Sequence, residues 1–141
     1  MSTRLMDYFN RTPRIGVLGT ASKDGKVDVA VFESPQMIDE KTVVAVLTKN
    51  RTLANLQENP NAVYMIVKPG ETDMMEGWKG VRVYMRMKEC ATSGATLDAY
   101  RKEIAEVAGD EVAAMIHAAA TFEVGEVRPL VDMGQGWEKS I

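Results

Sequence analysis

Residues 43–60 read VVAVLTKNRTLANLQENP, and this stretch carries the clearest local signals in the chain. The run at 42–48 is apolar enough to form a strand that is buried on both faces. Asn50 then provides a favoured N-cap for a short helix, in which Leu53 and Leu56 face inward. The proline at the end of the stretch stops that helix. The stretch therefore predicts a buried strand that enters a helix through a short polar loop.

The polar loop contains a set of side chains that suits an anion. Thr48 and Thr52 offer hydroxyl groups, Lys49 and Arg51 offer positive charge, and the helix start offers free N–H groups. A bound phosphate requires this combination of donors and positive charge. The residues alone leave a second interpretation equally open, which is a solvated loop with an ordinary helix cap.

Strand patterns flank this stretch on both sides. Residues 14–20 and 27–33 alternate in polarity and are separated by a turn with the sequence Asp-Gly, which predicts a hairpin. After a short piece at 36–38 and the central stretch, residues 62–67 read as a strand. From Val81 onward, apolar and polar residues alternate cleanly, as expected of a half-buried antiparallel strand.

The remaining segments predict helices and one more strand. A helix capped by Ser2 or Thr3 precedes Pro13, and residues 95–108 form a second helical pattern. In this second pattern, apolar side chains recur at Leu97, Tyr100, Ile104 and Val107. Another helix is expected over 110–116 and a strand over 121–131. About six strands with hairpin connections indicate an α+β protein, a closed or partly closed antiparallel barrel with short flanking helices.

Length and composition exclude several classes of protein. The chain of 141 residues fits one domain spanning 1–141, and its net charge of -3 argues against nucleic-acid binding. A single cysteine, Cys90, excludes an internal disulfide and a cysteine-rich metal site. No apolar run approaches the roughly 20 residues of a membrane span, and the first residues lack the apolar core of a signal peptide. We expect a cytoplasmic protein with no metal and no membrane partner.

Familiar catalytic motifs do not occur in the sequence. It contains no GxxxxGK[ST], GxGxxG, HExxH or GxSxG pattern. The single histidine, His117, lies among small apolar residues, where we expect it to pack at a helix end. A nucleophilic pair of His117 with Cys90 has no positive support. The sequence therefore identifies no catalytic residue.

The order of these elements resembles a known family. A strand followed by Arg51-Thr52-x-x-Asn55-Leu56, an acidic residue and Asn-Pro is similar to the FMN-binding split β-barrel family. That family includes pyridoxamine 5'-phosphate oxidase and small bacterial FMN-binding proteins, and the resemblance extends over most of the chain. It implies a split antiparallel barrel that binds FMN in the cleft of a homodimer. It also implies an oxidoreductase that acts on a small-molecule redox substrate or an electron-transfer partner.

The resemblance assigns roles to particular positions. Arg51 and Thr52, with Lys49 nearby, correspond to the residues that hold the FMN phosphate. The resemblance further implies that the flavin is lined by Ala30, Val31 and Phe32, bordered by Val46, Leu47 and Thr48, and approached by Trp78 and Lys79. Trp137 matches a tail residue that could cover the ring, although a surface or dimer-packing tryptophan is an equal alternative.

One departure separates this chain from true pyridoxamine phosphate oxidases. Those enzymes carry a segment rich in Trp and Arg near the C-terminus that grips the substrate. In residues 122–137 of this chain, Arg128 is the only arginine and Trp137 the only tryptophan. The resemblance therefore implies FMN binding without oxidation of vitamin B6. A non-enzymatic protein of the same fold, which binds flavin or haem as a sensor, store or electron carrier, is the alternative. The sequence names neither the substrate nor the electron donor.

Overall fold

The structure is a computed structural model that describes residues 3–73 and 77–141. Ser2, one of the two expected N-caps, and residues 74–76 lie outside the described residues. The other expected cap, Thr3, begins the first helix and accepts a hydrogen bond from the Met6 N–H at 3.2 Å.

The described residues form four α-helices, seven strands and a C-terminal 3₁₀-helix. The α-helices are α1 (Arg4–Asn10), α2 (Arg51–Glu58), α3 (Ala95–Ala108) and α4 (Asp110–Met115). The strands are β1 (Ile15–Ala21), β2 (Val27–Val31), β3 (Gln36–Asp39), β4 (Thr42–Thr48), β5 (Asn61–Lys68), β6 (Lys79–Ala91) and β7 (Ile116–Pro129). The 3₁₀-helix covers Trp137–Ser140.

All strand pairs are antiparallel, and the strand order is β2-β1-β5-β6-β7-β4-β3. The sheet curls on itself, because the segment after β2 bonds to β4 near the opposite edge. Ser34 Oγ donates to the Val46 carbonyl at 2.9 Å and accepts from the Val46 N–H at 3.2 Å. The concave side encloses one core to which β1, β4, β5, β6 and β7 all contribute. The chain is therefore an α+β split antiparallel β-barrel, as predicted.

Helices α1 and α2 pack on this barrel through their apolar faces. Phe9 of α1 is fully buried, and its ring lies 5.3 Å from the ring of Tyr64, centroid to centroid. In α2, Leu53 and Leu56 are buried as the sequence indicated. Among the described residues, no helix is long and apolar enough to cross a membrane.

The last third of the chain differs from the predicted elements. Helix α4 ends at Met115, and β7 begins at Ile116 instead of residue 121, so His117 lies in a strand and not at a helix end. The alanines that follow have little strand preference of their own, but pairing with β4 fixes them in the sheet. Val107 fits the helical spacing but is 87% exposed, because α3 is buried chiefly near its start. The short piece near residue 37 is a strand that pairs with β4, which brings the number of strands to seven.

Candidate cofactor site

The start of α2 presents unsatisfied backbone donors. Asn50 caps the helix, since its side-chain oxygen accepts from the Leu53 N–H at 3.0 Å and its carbonyl accepts from the Ala54 N–H at 3.1 Å. The N–H groups of Arg51 and Thr52 have no acceptor among residues 3–73 and 77–141. The first turn of an α-helix carries partial positive charge, so these two groups favour an anion.

Two exposed cations stand beside these donors. Within the part of the chain that the structure describes, no carboxylate pairs with Lys49 or Arg51. Thr52 is only 2% exposed, whereas Thr48 is half-buried and its hydroxyl oxygen accepts from the Asn50 side chain at 3.1 Å. The loop therefore combines two unpaired positive charges with free backbone donors, which fits a phosphate group.

The end of β2 and the end of β4 lie next to this loop. Helix α2 contacts both strands, and the Ser34–Val46 hydrogen bonds join the two segments. Ala30 and Phe32 are half-buried, and Val31 is exposed. The structure thus brings the expected flavin-lining residues of β2 and β4 to the same side as the phosphate-binding residues.

Leu47 takes a different position from its neighbours. Its side chain is fully buried in the barrel core, while Val46 and Thr48 are half-buried. Side chains alternate along a strand, so Leu47 can border a cofactor only through its backbone.

Trp78 and Lys79 lie at the far end of the barrel. Thr48 pairs with Ile116 at the start of β7, whereas Lys79 opens β6 beside the end of β7, where Val81 pairs with Pro129. Strand β7 has 14 residues, which would span roughly 40 Å if fully extended at about 3.3 Å per residue. One chain therefore does not bring Trp78 or Lys79 to the phosphate-binding residues.

The residues near Trp78 form a separate cavity of about 320 Å³. The Trp78 indole N–H donates to the Thr72 carbonyl at 3.2 Å, and the Lys79 ammonium donates to the Lys139 carbonyl at 3.1 Å. Trp137 is half-buried and packs against the barrel core. In this chain its observed contacts are those of a packing residue.

Arg128, the only arginine of the C-terminal segment, is engaged in ion pairs. Its guanidinium donates to Asp132 at 2.5 Å and to Glu126 at 3.0 Å, and Arg82 also reaches Asp132 at 3.1 Å. The Gly134 N–H and the Arg128 side chain hold the pKa of Asp132 below its usual value. These interactions leave no unpaired arginine in the segment to grip a substrate.

His117 is a neighbour of the site that the sequence did not identify. Leu47 pairs with Ala118 and Thr48 pairs with Ile116, so His117 is the extra residue of a β-bulge opposite the end of β4. Bulges redirect side chains and are frequent beside functional sites. No local signal in the sequence reveals this position, because the bulge arises from pairing between distant strands. Among the described residues, no group of His, Cys, Asp and Glu could hold a metal ion.

Comparison with known proteins identifies the architecture. No protein-family model matches the sequence, and no curated protein sequence matches it significantly. Solved structures do match. An FMN-binding protein from Syntrophomonas wolfei subsp. wolfei superposes with a TM-score of 0.71 at 22% identity, covering 91% of this chain and 83% of that protein.

Two further structures have the same architecture. A putative pyridoxamine 5'-phosphate oxidase from Lactobacillus delbrueckii gives a TM-score of 0.60 at 16% identity, covering 89% of this chain and 92% of that one. HutZ, the haem storage protein from Vibrio cholerae, gives 0.61 at 16% identity, covering 98% and 99%. These likenesses establish the fold, which is the split β-barrel of FMN-binding, pyridoxamine 5'-phosphate oxidase-like proteins.

Proposed function

We propose that this chain binds FMN, with the phosphate at the start of α2. The observation that carries the proposal is the pair of unpaired cations, Lys49 and Arg51, beside the two free N–H groups of Arg51 and Thr52. The adjacent ends of β2 and β4 offer a partly apolar wall for the ring. When bound, FMN supplies the redox chemistry, while the protein supplies binding, orientation and electrostatics.

We further propose that the flavin lies in the cleft of a homodimer. The outer side of the β1–β2 hairpin exposes an unusually apolar surface, with Val27, Val29 and Val31 exposed by 85%, 71% and 71%, and Ile15 by 50%. Val31 also belongs to the expected flavin wall, so a second chain on this surface would border the cofactor. Such a chain could also bring its own Trp78 and Lys79 to the cofactor.

We propose an oxidoreductase that exchanges electrons with a small-molecule substrate or an electron-transfer partner. The single histidine of the chain, His117, lies at the edge of the site. A hydride or electron transfer needs no further acid or base from the protein, so the poverty of acid–base groups is compatible with this chemistry.

A haem-binding protein is the second candidate. One observation favours it, which is the half-buried imidazole of His117 beside the wall formed by β4. Histidine is a common axial ligand of haem iron, and a haem storage protein has the same fold.

The visible spectrum of the purified protein distinguishes these candidates, followed by mass analysis of the released ligand. Flavin bands and the mass of FMN support the proposal, whereas an intense Soret band and the mass of haem support the alternative. If the protein is colourless, titration of the apoprotein with FMN and with haemin replaces the spectrum. FMN that fails to bind the apoprotein would refute the first proposal.

A further inference from the structure

A second cavity lies away from the start of α2, where we place the phosphate. It has a volume of about 390 Å³ and lies between the end of α1, the start of β1 and the end of β5. This volume is within the range of small-molecule sites. Its apolar wall is formed by Tyr8, Pro13, Ile15, Ile66, Val67 and Pro69.

Three cations also line this cavity. They are Arg11, Arg14 and Lys68, and no carboxylate pairs with any of them within residues 3–73 and 77–141. The chain as a whole has a net charge of -3, so three unpaired positive charges at one cavity are a local concentration. Like charges repel, and a bound anion would relieve that repulsion.

Arg14 is fixed in place by the fold. Its guanidinium donates to the carbonyls of Phe9, Glu33 and Pro35, the second at 2.7 Å. It also lies over two aromatic rings, 5.5 Å from the Phe9 centroid and 5.3 Å from that of Tyr64. Its Nε is buried without an acceptor among the described residues. The positive charge is therefore preorganised and balanced only by carbonyl dipoles.

Arg11 and Lys68 are the exposed members of the three. The Arg11 guanidinium lies over the Tyr8 ring at 5.7 Å from its centroid, at the rim of the cavity. Lys68 ends β5, and its side chain has no hydrogen bond or ion pair with another described residue. Both side chains can therefore approach a negative group without first breaking an ion pair.

We propose that this cavity binds a small organic anion, with its apolar body against the wall and its carboxylate or phosphate group among Arg11, Arg14 and Lys68. The apolar lining favours an apolar body on the ligand, and the three unpaired positive charges favour an anionic group. A neutral molecule of the same shape lacks the second interaction, and a bare inorganic anion lacks the first.

The cavity is separate from the start of α2. Helix α2 is tied to β1 through the Asn55 side chain, which donates to Thr20 at 3.1 Å, whereas the cavity is at Ile15, the opposite end of β1. The cavity adjoins the expected flavin wall, because the Phe32 N–H donates to the Gly16 carbonyl and Arg14 donates to the Glu33 carbonyl. Competition with FMN is therefore part of the test.

The test is calorimetric titration of the full-length protein with octanoate, with octan-1-ol as the neutral analogue of equal chain length. Octanoate is expected to bind at least tenfold more tightly than octanol. The double variant Arg11→Gln/Lys68→Gln is expected to lose about tenfold or more in octanoate affinity, because charge-assisted hydrogen bonds are lost. Arg14 is kept, since its substitution would disturb the packing of α1.

A matched double variant locates the effect. Lys49→Gln/Arg51→Gln removes two exposed cations at the start of α2 and should leave octanoate binding unchanged, as should saturation with FMN. Equal affinity for octanoate and octanol, no binding of octanoate, or loss of binding in the Lys49/Arg51 variant would each overturn the proposal. Displacement of octanoate by FMN would assign the cavity to the cofactor cleft and refute a separate site.

Discussion

Arg51 combines a planar guanidinium, an exposed position without an acidic partner, and a place in the first turn of α2. We predict that Arg51→Ala weakens FMN binding by about 10- to 150-fold, which corresponds to the roughly 1.5–3 kcal/mol of a lost charge-assisted hydrogen bond. Riboflavin lacks the phosphate, so its affinity should hardly change. Titration of the apoproteins with both ligands measures the difference.

Lys23 supplies the control for this experiment, since it is an exposed cation at the turn of the β1–β2 hairpin. Lys23→Ala should bind both ligands like the wild type. If Arg51→Ala lowers the affinities for FMN and riboflavin equally, the phosphate assignment is wrong. If neither affinity falls, Arg51 does not hold the anion and Lys49 is the next residue to substitute.

Tyr64 shows how burial changes the titration of a core residue. Its hydroxyl donates to the Phe32 carbonyl at 2.6 Å, and burial raises its pKa to about 12, opposed in part by the charge of Arg14. The folded protein retains this proton at pH values where the unfolded chain, with a tyrosine pKa near 10, releases it. The resulting stabilisation is complete below pH 10 and is lost as the pH rises from 10 to 12.

Absorbance titration at 295 nm tests this interpretation of Tyr64. Burial also raises the pKa of Tyr8, but among the four tyrosines the late step near pH 12 should belong to Tyr64. If alkaline unfolding comes first, this step should occur at unfolding. Tyr64→Phe should remove this late step, and Tyr100→Phe should retain it. A late step that survives in Tyr64→Phe would contradict the assignment.

At the level of elements, substitutions at the N-cap of α2 should affect the stability of the fold and the binding of the phosphate differently. The Asn50 side chain caps this helix through the Leu53 N–H. We predict that Asn50→Ala lowers the free energy of unfolding by about 0.5–2 kcal/mol, as for other lost N-caps. Asn50→Asp should keep the cap and the stability, because aspartate caps equally well. Chemical denaturation measures both variants.

Asn50→Asp also distinguishes binding of FMN from binding of riboflavin. The carboxylate of Asn50→Asp would lie beside the bound phosphate, so this variant should bind FMN more weakly while riboflavin binding is unchanged. The difference should shrink as salt is added, because salt screens the repulsion between exposed charges. Unaltered FMN affinity in Asn50→Asp at low salt would place the phosphate away from this helix.

Elements with strong local signals are those that the sequence predicted well. Helix α2 has a capping residue at one end and a proline just beyond the other, so its limits follow from the sequence itself. The start of β7 has no such signal, because residues 116–120 include three alanines and their conformation depends on pairing with β4. The bulge at His117 and the exposure of Val107 depend likewise on tertiary packing, which a local pattern does not contain.

At the level of the whole molecule, the site could be predicted only in part. Ala30 to Phe32, Val46 to Thr48 and Lys49 to Thr52 are brought to one side by short connections, which a sequence pattern can follow. Trp78 and Lys79 are distant from Thr48 along the sheet, because Thr48 pairs with the start of β7 and the start of β6 pairs with its end. A second chain could bring its own Trp78 and Lys79 to the cofactor cleft, and a single sequence carries no direct signal of how two chains pack.

The ion pairs of the C-terminal segment argue against oxidation of pyridoxine 5'-phosphate. Arg128 is paired with Asp132 and Glu126 and is therefore unavailable to grip a substrate phosphate. We predict no appreciable oxidation of pyridoxine 5'-phosphate by the FMN-loaded protein. Formation of pyridoxal 5'-phosphate at an ordinary enzymatic rate, roughly one turnover per second or faster, would contradict this prediction.

The exposed valines of the β1–β2 hairpin predict the state of association. Val29 is opposite Gly19 and Val31 is opposite Val17, so these side chains form one continuous apolar surface on two paired strands. Extended apolar surfaces on small proteins usually mark interfaces. We predict that the protein is a dimer in light scattering coupled to gel filtration, and that Val29→Lys converts it to a folded monomer. The fold should survive, because this side chain is 71% exposed in the single chain.

Val107→Lys is the matched control, because this valine is still more exposed but lies on α3, away from the hairpin. It should leave the dimer intact. If the second chain completes the cofactor cleft, Val29→Lys should also lower the affinity for both FMN and riboflavin. Arg51→Ala, by contrast, should lower the affinity for FMN alone. A wild-type protein that is strictly monomeric and still binds FMN tightly would refute the dimer cleft. A monomeric Val29→Lys protein with unchanged FMN affinity would show that one chain suffices for the site.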